Sequence, residues 1–201
     1  MLKISVFNQG LDAALSQLQT IADQKQFRFS VAKALTQTAA DIQQEVRKNM
    51  PGRFIIRRPW VINGIRIERA TPANLSATIY SRDKFMGLQE LGGEKNPLRQ
   101  YLAIPTSLVR RTKTDVIRKA DRPKELGDKV EIIEFRGHKW LALKKARKAG
   151  NNQRLRLLYL LIPRAHINKR LGLADDAIKV ARANFAPNLR SAIEYALRTA
   201  R

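Results

Sequence analysis

From Phe27 to Met50 the chain places apolar or small residues every three to four positions: Phe27, Val31, Ala34, Leu35, Thr38, Ala39, Ile42 and Val46. That spacing puts them on one face of a helix. The stripe extends backwards through Leu11, Ala14, Leu15, Leu18, Ile21 and Ala22, with a break allowed near Gln24–Gln26, and Pro51-Gly52 signals its end. A helix this long with one apolar face is not stable alone. It has to lay that face on a sheet or on a neighbouring chain.

Strand signals flank it. "LKISVF" (2–7) alternates and is rich in β-formers. In "WVINGIRIERA" the pair Asn63-Gly64, between two β-prone runs, predicts a hairpin. "LSATIYSRD" (75–83) follows the turn "TPAN" as a further strand, and "LQELGGEKNPLRQ" reads as a loop. "VEIIEF" and "HKWLALKKA" predict a hairpin around Arg136-Gly137. The C-terminal "LADDAIKVARANFAPNLRSAIEYALRTAR" is helical, with Ala177, Ile178, Ala181, Phe185, Leu189, Ala192, Ile193, Ala196 and Leu197 on one face. Pro187 either kinks it or starts a second helix.

Two phrases echo each other. "YLAIP" (101–105) and "LRLLYLLIP" (155–163) are both apolar runs ended by proline and followed by basic residues. Each predicts a core strand, cut off because proline has no N–H for the ladder. If the two strands run parallel, they deliver Arg110, Arg111, Arg164, Lys169 and Arg170 to one region.

Charge sharpens this point. The 201 residues hold 39 Lys+Arg against 17 Asp+Glu, a formal net +22, and residues 101–170 alone hold 19 basic against 6 acidic. Such a concentration attracts a polyanion, either nucleic acid or an acidic protein surface. Residues 107–128 and 144–152 are basic and poor in large apolar groups, which predicts mobility in a free subunit and order in an assembly. With 44% apolar residues the chain has enough for a core, and without cysteine it has neither disulfides nor thiolate metal sites. No apolar run is long enough to span a membrane, and "MLKISVFNQG" does not read as a signal peptide, so synthesis in the cytosol is expected.

Catalytic signatures are sparse. His138 and His166 lack partners at metal-ligand spacing, and no phosphate-binding glycine loop or nucleophile elbow occurs. The one enzyme candidate is a metal-dependent nuclease built on Asp121, Glu134 and Arg136, which lacks the lysine expected beside the second acid. Trp60 and Trp140 are not interleaved with the basic runs, so they read as hairpin anchors rather than a base-stacking platform. The chain is expected to be neither an enzyme nor a holder of any cofactor or metal.

Four stretches in order carry a resemblance: "FRFSVAKALTQTAADIQQEVRKNM", "RPWVINGIRIERATPANLSATIYS", "LQELGGEKNPLRQYLAIPT" and "YLLIPRAHINKRLGL" leading into the last helix. Together the sequence resembles the tail-completion (minor tail protein Z) family of long-tailed bacteriophages. It departs from the family's Glu-x-Gly-Thr at Glu90-Leu91-Gly92-Gly93. The resemblance implies an α+β fold: a small, mostly antiparallel sheet packed by a long N-terminal helix, with a C-terminal helix. It implies one tail-completion-like domain over 1–201, carrying a basic loop and hairpin insertion around 107–152. It further implies a structural virion protein that forms a ring, hexameric by expectation, at the tail neck. That ring would join the tail to the DNA-filled head beside a tail terminator or tail tube and head–tail connector proteins, and would touch phage DNA without sequence preference. Joined with the charge, it nominates Arg110, Arg111, Lys113, Arg118, Lys119, Lys144, Lys145, Arg147, Lys148, Arg164, Lys169 and Arg170 as contacts to DNA or a neighbouring ring. The alternative is a free-standing, basic, sequence-independent nucleic-acid-binding protein.

Overall fold

The computed structural model describes residues 3–6, 24–144 and 155–199. The elements run β1 (Lys3–Val6), α1 (Gln24–Arg53), α2 (Trp60–Asn63), β2 (Ile65–Glu68), β3 (Ala77–Ser81), α3 (Met86–Leu91) and β4 (Gly93–Lys95). They continue with β5 (Leu102–Pro105), α4 (Pro123–Leu126), β6 (Val130–Phe135), β7 (His138–Leu143), β8 (Leu157–Ile162), β9 (Ala165–Ile167) and α5 (Leu173–Thr199). Every strand pairing is antiparallel, and the fold is α+β. The chain divides into two compact units, one of residues 1–92 with 169–201 and one of residues 93–168. The segment 107–152 lies inside the second unit, together with both echoed strands.

In the first unit α1 covers a sheet of order β1-β3-β2. Val31, Leu35, Ala39, Ile42, Val46 and Met50 form its buried stripe, against Ile65, Ala77 and Ile79 of the sheet and Leu171, Leu173 and Ala177. Each large side chain in that stripe is worth about 1.5–3 kcal/mol relative to exposure. The helix runs through Pro51 to Arg53 rather than stopping at the proline, and Phe54 N–H still donates to Met50 O at 2.9 Å. Only one bond is lost that close to the end. The continuation places Arg53 where its guanidinium meets Asp176 at 2.6 and 2.8 Å and donates to Leu171 O. The stretch Leu11–Ala22 lies outside the described residues.

The helix α5 packs antiparallel along α1. Asn184 and Asn188 donate to the Asp41 carboxylate at 3.0 and 2.9 Å, Asn188 also reaches Thr38, and Lys33 Nζ sits 3.0 Å from the Tyr195 ring centroid. Pro187 interrupts neither the helix nor its packing. It and Ala183, the residue whose carbonyl would have accepted the missing N–H, are both exposed, so that carbonyl lies on the solvent side of the helix. Two residues expected on the apolar face, Ile178 and Leu197, are exposed instead.

Two local expectations fail. Asn63-Gly64 is not a hairpin turn: Trp60–Asn63 is a short helix and Gly64 caps it at φ −67°. Glycine is favoured there by space, since a Cβ would sit 2.4 Å from an Asp83 carboxylate oxygen, which would have to swing aside, and 3.2 Å from Val61 O. The hairpin-like return lies instead between β2 and β3, across the "TPAN" turn, where Thr71 N–H donates to Asn74 O. Trp60 is accordingly a half-exposed helical residue stacked edge-on against Phe85, not a hairpin anchor. "LQELGGEK" is not a loop but the helix α3 and the strand β4.

The second unit is a sheet of order β5-β8-β7-β6, with β4 and β9 paired where the chain enters and leaves. The β6–β7 hairpin turns at Arg136 (φ 51°) and Gly137 (φ 71°), the left-handed pair that suits a two-residue hairpin. Trp140 is half-buried in it and donates to Phe135 O at 3.1 Å. The core of this unit is small: Val109, Leu126, Leu158 and Tyr159, flanked by Ala103, Ile117, Val130, Leu141 and Leu143.

Candidate nucleic-acid interface

The echoed strands are direct neighbours. β5 pairs with β8 through Leu102–Ile162 and Pro105–Tyr159, in antiparallel register. Their basic exits therefore leave from opposite ends of the sheet. Arg110, Arg111, Lys113, Arg118 and Lys119 follow the end of β5, whereas Arg164 follows the far end of β8 and reaches Glu94 at 3.2 Å. Lys169 and Arg170 belong to the other unit. There Lys169 lies 4.0 Å from Asp175, and Arg170 N–H donates to Gln89 O. Lys145, Arg147 and Lys148 lie outside the described residues.

The end of the sheet beyond Pro105 is where charge collects. The same antiparallel order brings the start of β8, the end of β7 and the start of β6 to that end, adding Arg156, Lys144 and Lys129. With residues 106–128 this makes ten basic side chains against four acidic ones. Sequence reasoning missed Arg122, Lys124, Lys129 and Arg156. The position of Arg156, one residue before the second apolar run, becomes informative only once the strand direction is known.

The segment 106–128 is fastened to the sheet despite its composition. Thr106 N–H donates to Leu158 O at 2.9 Å and its hydroxyl to Leu157 O at 2.8 Å. A small hairpin follows, in which Arg118 N–H meets Arg110 O, Thr112 N–H meets Val116 O at 2.8 Å, and Lys113 occupies the tip. Val109, Ile117 and Leu126 turn into the core, and Tyr159 Oη donates to Asp121 O at 2.6 Å. Burial pushes the Tyr159 phenol above its ordinary range. The expected mobility of 107–128 is thus opposed by a short list of hydrogen bonds and three apolar anchors. Residues 145–152 of that expectation lie outside the described residues.

Pairing divides the cations into two sets. Arg110 grips both Asp121 carboxylate oxygens at 2.9 and 2.8 Å, and this hydrogen-bonded guanidinium holds the Asp121 carboxyl below the usual carboxylate range. Arg111 lies 3.3 Å from Asp115. Lys113, Arg118, Lys119, Arg122, Lys124, Lys129, Lys144 and Arg156 are exposed and form no salt bridge with the described residues. Diffuse exposed cations around fixed ion pairs suit phosphate contact and carry no base-reading geometry.

The nuclease trio does not assemble. Asp121 is occupied by Arg110, while Glu134 faces Lys139 in register beside the Arg136 turn, at the hairpin end of the sheet. Among the described residues no group of three or more His, Asp or Glu is arranged to hold a metal ion, and no helix is long and apolar enough to cross a membrane. Comparison with protein families, curated proteins and solved structures gives no match to this chain.

Proposed function

We propose that the chain is a ring-forming tail-completion subunit of a long-tailed bacteriophage tail, which joins the tail to the filled head and meets DNA through the basic end of its four-stranded sheet. The observation that carries the reading is the set of eight exposed cations at that sheet end, read with the four ordered stretches that resemble the family. A ring lining a DNA channel needs diffuse positive charge, not base contacts. The work it supports is mechanical and electrostatic rather than catalytic. Its partners would be further copies of itself, a tail terminator or tail tube, and head–tail connector proteins.

Mass measurement and electron microscopy of the purified chain and of tails carrying it test the reading. Rings at the head-proximal end of tails are expected. A monomer that binds duplex tightly and never enters particles would assign the chain to free-standing DNA binding instead.

A further inference from the structure

Beside the cations, the same sheet end holds a cavity of about 260 Å³. Its walls are aliphatic: Leu108, Val109, Ala120, Leu126, Leu143 and Leu158. Arg110, Asp121, Lys129 and Arg156 complete the lining. Arg110 and Asp121 are committed to each other, which leaves Lys129 and Arg156 as the cations available to a visitor.

We propose that this cavity is a docking site for an acidic protein segment, which inserts an aliphatic side chain while its carboxylates meet Lys129 and Arg156. Three observations favour this occupant over nucleic acid or a metabolite. The lining has no aromatic ring on which a base could stack. Its one carboxylate is already held by Arg110, so the lining has no free side-chain acceptor for a base amino group. The volume falls below the ~300–1,000 Å³ of ordinary small-molecule sites and suits a single anchor side chain of the kind that dominates protein interfaces. The chain's own connection between β7 and β8, "KARKAGNNQR" (145–154), is basic and has no large apolar residue, so its chemistry does not match the cavity. The inference does not rest on the phage reading, since the cavity is lined by residues of this chain alone.

Fluorescence anisotropy with two labelled peptides tests it: Gly-Asp-Glu-Glu-Leu-Leu-Asp-Glu-Gly and the same peptide with both leucines replaced by serine. Their charges are equal, so electrostatics alone predicts equal binding. The leucine peptide is expected to bind the wild-type chain about tenfold tighter or more. Ala120→Trp, at an exposed lining position, should fill the cavity and erase that difference while leaving the salt dependence of duplex binding unchanged. Methyl chemical shifts of Leu108, Leu126 and Leu158 in the wild-type chain should move with the leucine peptide and not with the serine one, a readout that survives if the Trp variant fails to fold. Equal affinity for the two peptides, or unmoved methyls, overturns the proposal. Loss of duplex binding in a folded Ala120→Trp chain without peptide discrimination would assign the cavity to nucleic acid. Neither result bears on ring formation.

Discussion

The Glu90 carboxylate accepts the backbone N–H of Leu173 at 2.8 Å and that of Ala174 at 3.0 Å, and so caps the last helix from 83 residues away in sequence. Glu90 is 3% exposed, and a helix N-terminus leaves its first N–H groups without intrahelical partners. A remote acid takes the place of the usual local cap and adds its charge to the favourable end of the helix dipole. This gives the Glu90-Leu91-Gly92-Gly93 stretch a structural role in which no hydroxyl at Gly93 takes part.

Glu90→Ala should therefore lower unfolding free energy by about 2–3 kcal/mol, the cost of leaving buried donors without a charged acceptor. Glu90→Gln keeps one acceptor oxygen and should lose less. Urea titration followed by circular dichroism measures both, and an unchanged midpoint for Glu90→Ala would remove the cap from the account.

The Arg53–Asp176 pair fastens the end of the first long helix to the start of the last. The Asp176 side chain is 9% exposed and that of Arg53 29%, so the pair is only partly shielded. Arg53→Met or Asp176→Asn should each cost about 2–4 kcal/mol, because each strands the other charge. The double variant should cost clearly less than the two added together. Strict additivity in a double-mutant cycle would mean the two side chains do not stabilise each other.

Asp41 predicts an acid sensitivity. Burial pushes its carboxyl up, but hydrogen bonds from Asn188, Asn184 and Gln37 outweigh this and hold it below the ordinary value. A depressed carboxylate contributes stability above its unfolded pKa of about 3.9 and loses it as pH falls toward the folded value. Wild-type stability should thus fall from about pH 5 downward, and Asp41→Asn should flatten part of that slope. Parallel pH–stability curves for the two chains would refute the assignment.

Reversing Lys113, Arg118, Lys119 and Lys144 to Glu should leave the fold intact, at about 0.5 kcal/mol per exposed site. Duplex affinity should collapse. With about six phosphates neutralised, wild-type affinity should drop roughly a thousandfold between ~50 and ~200 mM salt, and the reversed chain should show a much shallower slope. Reversing Lys169 and Arg170 should change that slope far less. Arg110 and Arg111 are poor choices for such a test, because they already hold Asp121 and Asp115. A reversed chain with the wild-type salt slope would move the DNA-binding face elsewhere.

Amide hydrogen exchange checks the fastening of the basic segment. Thr112 and Arg118 N–H groups, which donate to Val116 and Arg110 carbonyls, should be protected, while Lys113 at the hairpin tip should exchange freely. Uniform fast exchange from Thr112 to Lys124 would return the segment to the mobile state that its composition suggests.

What the sequence determined by itself was whatever depends on neighbours along the chain. The helical stripe from Val31 to Met50, the strand β3 after its turn, and the Arg136-Gly137 hairpin all follow from local periodicity and turn chemistry, and all are present. The charge excess of 101–170 needed only counting. Tertiary structure decided the rest, because it depends on which residues meet across long separations. Gly64 reads as a turn residue until Asp83 is seen packed against it. The two echoed strands could have run parallel; their antiparallel register sends Arg110 and Arg164 to opposite ends of the sheet and brings Lys129, Lys144 and Arg156 in beside Arg118. Strand direction leaves no mark in a four-residue apolar phrase, since its burial pattern reads the same both ways. The charge was therefore legible in the sequence, but its distribution over the surface was not.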